Sequence, residues 1–395
     1  MPWSLRMITY ASIISLVLFF YFCYRYIKSV KRSDNLPRQP LFMLLFASVV
    51  FFYGYPFSGW VSYLFTNTFE RTEHPALLIY SFWFGLIYLG VMLNWLILHD
   101  VLLPVIKKFS GKKPHILKRR FANLFLIIAV LTLIYTTARL AWDTNRITTE
   151  EITYNLPQDG LSPLTIVHIA DLHADAYTSD KKMERYISRV NEFEPDLVVF
   201  GGDLISSGTD YIEAGARTLG KIDATYGTFA VLGDHDYWTD ADLISETLKK
   251  YGVEMLRNEN RWIDHFGEKI KVSGITEIYS SKIREDSLQK LLSESRNESL
   301  SLLFAHQASD RLIESSLQNG VDHLYGAHTH GGQLRIPVFF YPATAVREET
   351  KYVNGNWLLD DMLLNVNSGL GFTLSPVRYN APAQISVIRV LGNNF

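Results

Sequence analysis

Four long apolar stretches dominate the hydropathy pattern of the first third of the chain. They cover residues 7–26, 41–65, 76–105 and 121–142. Each is long enough to cross a bilayer as a helix, which takes about 20 residues. No convincing small-residue cleavage site accompanies the first stretch, so we expect an uncleaved membrane helix and not a signal peptide. The pattern therefore predicts four transmembrane helices within residues 1–145.

Two polar side chains, Asn94 and His99, occur within or near the end of the third stretch. Polar groups at this depth usually form hydrogen bonds between membrane helices or mark a transport path. We interpret both as residues that bond between helices.

A different pattern of short runs follows. Apolar, β-branched runs that are typical of buried strands occur at residues 164–170, 197–200, 228–232 and 323–325. Helices are predicted at residues 179–191, 210–219 and 240–251, and further strands within 261–274, 357–366 and 383–391. This alternation indicates an α/β domain with mixed sheets over residues 164–395. The polar stretch 146–163 contains Pro and Gly and is interpreted as a linker.

Basic residues in the connections predict the orientation in the membrane. The connections after the first and third stretches are rich in them: Arg25, Lys28, Lys31, Arg32, Arg38, Lys107, Lys108, Lys112, Lys113, Lys118, Arg119 and Arg120. Connections of this kind stay in the cytoplasm. The connection between residues 66 and 75 has no positive excess. After an even number of crossings, the α/β domain is expected outside the cytoplasm, attached to the inner (plasma) membrane.

Charge also separates the two regions. Residues 1–145 contain 15 Lys or Arg and 5 Asp or Glu, a balance of +10, and the whole chain carries −2, which leaves −12 for residues 146–395. An acidic domain is a poor nucleic-acid binder, because neutralising phosphates requires basic surface. We therefore expect no nucleic-acid partner.

Acidic and histidine side chains follow the predicted strands. The candidates are Asp171, His173, Asp203, Asp234, His235, His306, His328 and His330. Carboxylate oxygens and imidazole nitrogens together suit divalent Mn, Fe or Zn. The only cysteine, Cys23, lies in the first apolar stretch, which excludes a structural zinc site built from cysteines. Isolated histidines such as His265 and His323 are interpreted as structural.

The order of these blocks resembles the calcineurin-like metallophosphoesterase superfamily. The blocks are Asp171-Leu172-His173, Gly202-Asp203, Gly233-Asp234-His235-Asp236, an isolated His306, and His328-Thr329-His330-Gly331-Gly332-Gln333. Five blocks in the right order are a specific signal, whereas a single one is noise. The residues within these blocks are most similar to those of the bacterial membrane-linked phosphodiesterase branch. The resemblance implies a four-layer αββα sandwich, here preceded by the four membrane helices.

The resemblance also implies roles for these side chains. One divalent ion is expected on Asp171, His173, Asp203 and His330, and a second on Asp203, Asp234, His306 and His328. A hydroxide between the ions is the implied nucleophile, because coordination lowers the pKa of water to about 7. His235 is the implied catalytic group at the leaving oxygen, with Asp236 as a group that could orient it. Arg378 and Tyr237 are candidate substrate contacts, with an ion pair and ordinary packing as their alternatives.

Three positions depart from the family pattern. Asp234 stands where the family has Asn, Ala327 where it has Gly, and Gln307-Ala308 where it has Asn-Pro. The extra negative charge of Asp234 is expected to strengthen metal binding and weaken phosphate binding. A methyl group at Ala327 would be strained if the backbone there requires a positive φ.

These observations favour a membrane-anchored phosphoesterase with two divalent ions, acting on a phosphodiester or phosphomonoester of a lipid or envelope molecule. The bilayer and that substrate are its expected partners. Two alternatives stay open. One is a membrane sensor or scaffold that binds metal with little turnover. The other is a pyrophosphate hydrolase acting on a UDP-linked lipid A precursor, which the predicted orientation opposes.

Overall fold

The computed structural model describes residues 1–33, 38–109, 114–156 and 161–392. It separates into two compact units. The helical unit comprises Met1–Thr144, Leu334–Thr344 and Leu374–Asn380. The sheet unit comprises Asn145–Gln333, Ala345–Thr373 and Ala381–Phe395.

The described residues form ten α-helices and fourteen strands. The helices are α1 Trp3–Arg32, α2 Arg38–Thr66, α3 Ala76–Phe109, α4 Pro114–Asn145, α5 Asp180–Asn191, α6 Ile212–Leu219, α7 Asp234–Thr239, α8 Ala241–Lys250, α9 Glu285–Ser293 and α10 Asp310–Gln318. The strands are β1 Ile147–Asn155, β2 Leu164–Ile169, β3 Leu197–Phe200, β4 Thr228–Ala230, β5 Val253–Met255, β6 Glu259–His265, β7 Glu268–Ile275, β8 Leu300–Ala305, β9 His323–Gly326, β10 Ile336–Val338, β11 Tyr341–Ala343, β12 Gly355–Leu359, β13 Met362–Val366 and β14 Ala383–Leu391. Short 3₁₀ turns lie at Arg71–Glu73, His330–Gly332 and Ala345–Glu348.

Helices α1 to α4 confirm the four predicted apolar spans. Each is long and apolar enough to cross a membrane. They extend beyond the apolar stretches, because long basic side chains are good helix formers and are stabilised near helix C-termini. Arg32 and Lys108, which the sequence assigned to connections, thus lie in the last turns of α1 and α3. Lys112 and Lys113 lie outside the described residues.

Aromatic side chains join the membrane helices. Phe19, Phe22, Tyr88 and Phe125 share a buried cluster. The Tyr88 hydroxyl of α3 donates to the Ala129 carbonyl of α4 at 3.2 Å. The cluster thus connects α1, α3 and α4.

Polar contacts connect α1 with α3. Arg25 of α1 forms an ion pair with Asp100 of α3, and its guanidinium also contacts His99. Such paired groups are the usual form of charge at membrane depth. The predicted interhelical role of His99 is therefore confirmed.

Two late segments of the chain complete the helical unit. Strands β10 and β11 form an antiparallel hairpin that packs on α3. Residues 374–380 join it through a bridge between Leu334 and Tyr379. Asn380 accepts a hydrogen bond from Arg139 of α4 at 3.0 Å and donates its backbone N–H to Asp143 at 2.7 Å. The helical unit is therefore not formed by the N-terminal helices alone.

The sheet unit contains two six-stranded mixed sheets. Their orders are β1-β14-β2-β3-β4-β5 and β12-β13-β9-β8-β7-β6. Strands β2 to β5 are parallel, and so are β7, β8, β9 and β13. Parallel strands are covered on both faces, which explains why β3 is buried throughout.

Three apolar clusters place the layers. The middle cluster joins the facing sheets, with Val199 and Phe229 from the first and Phe304 and Tyr325 from the second. A second cluster lies between the first sheet and helices α5, α6 and α8. The third lies between the second sheet and α9 and α10. The layers are helix, sheet, sheet and helix, as the resemblance implied.

The predicted linker differs from the structure. Residues 147–155 form β1, which pairs in parallel with β14 from Ile147 opposite Ala383 to Asn155 opposite Leu391. The stretch is polar because β1 is an edge strand with half-exposed side chains. Only Arg146 separates it from α4. The part of the predicted linker at residues 157–160 lies outside the described residues.

Candidate metal centre

Strand ends position the candidate ligands. Asp171, Asp203 and Asp234 lie just beyond β2, β3 and β4, and His306 and His328 lie just beyond β8 and β9. Neighbouring parallel strands end at the same edge of a sheet, so the residues that follow them converge. All seven predicted ligands occur in groups whose donor atoms lie within 4.8 Å of one another.

The inner group consists of Asp171, His173 and His330. The Nε2 atoms of His173 and His330 are 3.0 Å apart, and His330 Nε2 is 3.5 Å from Asp171 Oδ1. All three side chains are buried. Three donor atoms thus face one small volume.

The outer group consists of Asp234, His306 and His328. The distance from His328 Nδ1 to His306 Nε2 is 3.2 Å, and that to Asp234 Oδ2 is also 3.2 Å. The His306 Nδ1–H donates to the Gly201 carbonyl at 2.8 Å, which directs its Nε2 lone pair toward the group.

Asp203 lies between the two groups. Its Oδ2 atom is 3.4 Å from His173 Nε2 and 3.4 Å from His306 Nε2. Asp203 also occurs in a group with Asp171 and His306. One carboxylate is therefore within reach of both sets of donors.

The donor set fits divalent ions. Neutral imidazole nitrogens that face each other at about 3 Å repel unless a proton or a cation lies between them. Asp234 Oδ1 is buried and accepts no hydrogen bond from any residue that the structure describes, so this oxygen is available to a cation. Oxygen and nitrogen donors together suit Mn, Fe or Zn.

Protons occupy part of this site when metal is absent. Burial opposes the ionisation of Asp203, but the charges of His306 and His235 outweigh it and hold the pKa of Asp203 well below its usual range. Burial also disfavours the charged form of His328, but hydrogen bonds to Asp234 and Glu349 raise its pKa to about 9. Metal must displace such protons to bind the imidazoles.

The backbone at the ligands is unusual. Five of the seven have positive φ, a region that non-glycine residues rarely adopt: Asp171 at 49°, His173 at 46°, Asp203 at 57°, His328 at 71° and His330 at 50°. Each such residue costs on the order of 1–3 kcal/mol and persists only where its surroundings enforce it. The ligand geometry is therefore built into the fold.

Asp236 supports the bridging carboxylate. Its side chain accepts from the backbone N–H groups of Asp203 at 2.8 Å, Leu204 at 2.9 Å and Gly233 at 2.9 Å. Burial and the neighbouring Asp203 charge raise the pKa of Asp236 to about 7. The suggestion that Asp236 orients His235 is wrong, because its oxygens are engaged by the backbone of the ligand loops.

His235 is oriented by a backbone carbonyl instead. Its Nδ1–H donates to Ser206 O at 2.5 Å, and its backbone N–H donates to Asp203 Oδ1 at 2.9 Å. The ring lies 4.8 Å from the ring of His173 and perpendicular to it, and 5.1 Å from Trp238. Because the carbonyl engages Nδ1, any proton transfer by this ring is assigned to Nε2.

Tyr279 and Glu349, which the sequence did not indicate as site residues, border the outer group. The Tyr279 hydroxyl is 3.2 Å from His328 Nε2, and Glu349 Oε2 is 3.5 Å from the same nitrogen. The Tyr279 hydroxyl also donates to Glu349, and burial with this carboxylate raises the pKa of Tyr279. Neither residue belongs to a recognised block, and only the fold brings them to His328.

The candidate substrate contacts Tyr237 and Arg378 belong to different units of the structure. Tyr237 is partly buried against the cluster beneath α5, α6 and α8, and its hydroxyl is 3.5 Å from Thr276 Oγ1. Arg378 is fully buried within the helical unit, where its backbone N–H donates to Thr144 Oγ1 at 3.1 Å. Their roles toward substrate stay predictions.

The departure at Ala327 carries no strain. Ala327 is buried, and the positive φ at this point of the chain belongs to His328. The methyl group therefore lies in an ordinary backbone conformation. Asp234 retains a ligand oxygen that the family's Asn would also offer, and adds a charge.

Comparisons with known proteins agree with this geometry. Residues 164–332 match the family described as calcineurin-like phosphoesterase. A metallophosphoesterase of Campylobacter jejuni is 27% identical over 286 residues, which cover 71% of this chain and 72% of that protein. The phosphodiesterase YaeI of Escherichia coli is 25% identical over 243 residues, covering 59% and 84%. A transmembrane protein with metallophosphoesterase domain from Danio rerio is 28% identical over 219 residues, covering 53% of this chain and 50% of that protein.

Proposed function

Because residues 164–332 form a calcineurin-like phosphoesterase domain, we propose that this chain is a membrane-anchored phosphoesterase that uses two divalent ions. Its substrate is a phosphodiester or phosphomonoester of a lipid or envelope molecule. The observation that carries the proposal is the position of Asp203, whose Oδ2 atom is 3.4 Å from a histidine nitrogen of each ligand group. A shared carboxylate of this kind is the feature of two-metal sites that act on phosphoesters.

The ligand groups account for the chemistry. Bound divalent ions supply Lewis acidity toward phosphoryl oxygens and lower the pKa of coordinated water. Asp203, His173 and His306 would be among the residues that hold these ions. The fold enforces a positive φ at five of the seven ligands, Asp171, His173, Asp203, His328 and His330. These ligands are therefore oriented before substrate arrives, which reduces the reorganisation needed in the reaction.

His235 is proposed to act at the leaving oxygen. Its Nδ1–H is held by Ser206 O, so the ring presents Nε2. As an imidazolium, it can donate the proton that the departing alkoxide requires. Trp238 lies beside it and is 50% exposed, so one side of the ring borders solvent.

A lipid or envelope substrate is supported by the four membrane helices. Attachment to a bilayer raises the effective concentration of the active site near molecules that reside there. The acidic balance of residues 146–395 disfavours nucleic acid, as argued from the sequence. Basic residues at the ends of α1 and α3 support a cytoplasmic location for these ends and an extracytoplasmic domain. A reporter fused to the C-terminus tests the orientation, and a cytoplasmic reporter would contradict it.

The test of the reaction uses the full chain in detergent or nanodiscs with Mn²⁺ added. Hydrolysis of bis-(p-nitrophenyl) phosphate and of phospholipids is measured beside His235→Ala. We expect a loss of about 10²–10⁴-fold, the usual contribution of a positioned proton donor, with metal content unchanged. His265→Ala is the matched control, since His265 contacts Tyr226 and the Ser162 carbonyl. Equal rates for the wild type and His235→Ala would remove His235 from the mechanism.

A metal-binding sensor with little turnover is the second candidate, and Asp234 is the observation that favours it. Its additional charge lies 3.2 Å from His328 Nδ1 and disfavours an anionic phosphoester. Asp234→Asn separates the two functions. Hydrolysis that is present in the wild type supports the enzyme, whereas hydrolysis that is present only in Asp234→Asn supports the sensor.

A further inference from the structure

The hairpin of β10 and β11 exposes aromatic side chains at its turn. Phe339 is 46%, Phe340 103% and Tyr341 55% exposed. The surrounding sequence from Ile336 to Ala343 contains no charged residue. In a unit whose helices are apolar enough to cross a membrane, an apolar surface of this kind is suited to contact with acyl chains and not with water.

Helix α3 holds the hairpin through one amide side chain. Asn94 Nδ2 donates to the Pro337 carbonyl at 2.8 Å, and Asn94 Oδ1 accepts from the Phe339 N–H at 2.5 Å. The sequence led us to expect that Asn94 bonds to another membrane helix, and this expectation is wrong. Gly90 lies one turn earlier, where a Cβ atom would be 2.6 Å from Ile336 Cγ2, so its lack of a side chain allows close packing.

The point of attachment lies at membrane depth. Helix α3 runs from Ala76 to Phe109, and Asn94 lies near its middle. At a rise of about 1.5 Å per residue, Asn94 is about 27 Å from the first residue of the helix and about 22 Å from the last. The hydrocarbon core of a bilayer is about 30 Å thick. The hairpin is therefore attached to the middle of a membrane helix.

The backbone of the hairpin suits an apolar solvent. Pro337 and Pro342 lie opposite each other in the register, and neither has an N–H donor. Asn94 bonds the carbonyl of Pro337 and the N–H of Phe339. Backbone polar groups in a bilayer must be satisfied within the protein, and this arrangement meets that requirement on the side facing α3.

A cavity of about 400 Å³ combines this apolar surface with polar groups. Phe339, Phe340 and Tyr341 line one part, and Arg335 and Asn380 line another. Asn380 is fixed by bonds to α4. Asn380 also donates to the Arg335 carbonyl at 2.9 Å, so Arg335 lies on the side of the cavity toward the C-terminal end of α4. The cavity thus offers a cationic group toward a helix end, where lipid phosphates lie, and an aromatic wall toward the middle of α3, where acyl chains lie.

We propose that residues 335–343 form a phospholipid-binding element, in which the aromatic turn contacts acyl chains of the bilayer and Arg335 contacts the phosphate. The element follows the metal ligand His330 closely in the sequence. For its catalytic consequence only, this proposal rests on the proposed phosphoesterase function. The lipid contact itself does not depend on catalysis.

The direct test is photo-crosslinking in nanodiscs that contain a phosphatidylethanolamine with a diazirine in its acyl chain. We expect crosslinked peptides that include residues 336–343 in the wild type and in Phe340→Leu, and a decrease of about tenfold in Phe340→Ser. Phe266→Ser is the matched control, because Phe266 is 82% exposed at the turn between β6 and β7 in the sheet unit. Absence of crosslinks in this segment, or equal yields in Phe340→Ser and wild type, would overturn the proposal.

The catalytic test compares two substrates. We expect Phe340→Ser to reduce hydrolysis of phospholipid in vesicles by about tenfold and to leave hydrolysis of bis-(p-nitrophenyl) phosphate unchanged. Equal losses on both substrates would contradict a lipid-specific role. If neither substrate is hydrolysed by the wild type but crosslinks persist, the phosphoesterase function fails and the lipid site stands.

Discussion

The inner and outer ligand groups use the same kinds of side chain but are built differently. In the inner group all three ligands have positive φ, and none is more than 3% exposed. In the outer group only His328 has positive φ, and its side chain is 19% exposed. Tyr279 and Glu349, which contact His328, are themselves 54% and 46% exposed.

The difference separates two tasks within one site. Because the inner group is buried and its backbone geometry is enforced by the fold, we expect an ion bound there to dissociate slowly. The outer group borders solvent, so we expect an ion bound there to exchange faster and a substrate to approach from that side. Removal by a chelator is accordingly expected in two phases, with the outer ion lost first.

Asp203→Asn should have the largest effect on metal content, and it should abolish the difference between the inner and outer groups. Its carboxylate serves both groups, so we expect affinity for both ions to fall by more than about a hundredfold and hydrolysis to fall with it. Metal content by mass spectrometry after dialysis measures the loss. Asp210→Asn, which changes a nearby exposed aspartate, should retain full content. A variant that keeps both ions would show that Asp203 does not bridge.

Gly371→Ala should damage the inner group alone. A Cβ atom at this position would lie 2.0 Å from the Leu172 carbonyl oxygen and 3.0 Å from His173 Cβ, so the backbone between Asp171 and His173 must shift. We expect a destabilisation of about 1–3 kcal/mol and weaker binding of the inner ion. Thermal unfolding and metal titration measure these effects. If the outer ion is lost instead, the assignment of Gly371 to the inner group is incorrect.

Glu349→Gln and Tyr279→Phe should affect the outer group alone. Both side chains contact His328 Nε2, and loss of such a supporting contact weakens metal binding by about tenfold. Stopped-flow release into a chelator is expected to show a faster first phase and an unchanged second phase. A change in the rate of the second phase, or no change in either phase, would contradict the proposed difference between the inner and outer groups.

Lowering the pH should produce the smallest effect, a loss of folding stability that does not distinguish the inner group from the outer group. Burial lowers the pKa of His168 to about 4 and that of His323 to about 3. The unfolded chain binds protons below about pH 6.5 whereas these folded histidines do not, so stability is present above pH 6.5 and is lost as the pH falls toward the folded pKa values. We expect a loss of about 0.7 kcal/mol per histidine between pH 7 and pH 6.

Denaturant unfolding of chelator-treated protein at pH 7 and pH 6 measures this loss. His168→Gln should show a smaller decrease, since glutamine does not titrate. The difference between the two proteins isolates His168 from the ligands, whose protonation contributes equally to both. An identical decrease would show that the titrating groups lie elsewhere.

Much of the fold follows from the sequence because its signals are local. Uninterrupted apolar stretches identify α1 to α4, and apolar runs that end in Asp or His identify the strands and the edge at which their residues meet. β14 was predicted with its observed bounds, Ala383–Leu391. The prediction of β1 as a linker failed because an edge strand needs no apolar composition, and its partner β14 comes from the opposite end of the domain sequence.

Other features depend on contacts that no local pattern records. Glu349 and Tyr279 reach His328 from separate segments, and Asn94 bonds a hairpin that is remote from it in the sequence. The sequence also does not predict the positive φ of Asp171 and His173. Aspartate and histidine disfavour this backbone region, and the surrounding structure enforces it.

The positive φ of five ligand residues has a consequence for how the protein tolerates mutation. At five of the seven positions glycine would fit the backbone better than the residue that is present. Each of these five ligand residues therefore lowers the folding stability relative to glycine. A library screened only for thermal resistance should enrich small, flexible substitutions there and drift toward a sturdier but inert protein. Aspartate and histidine at these five positions are therefore explained by the donor atoms that they offer and not by the stability of the backbone that carries them.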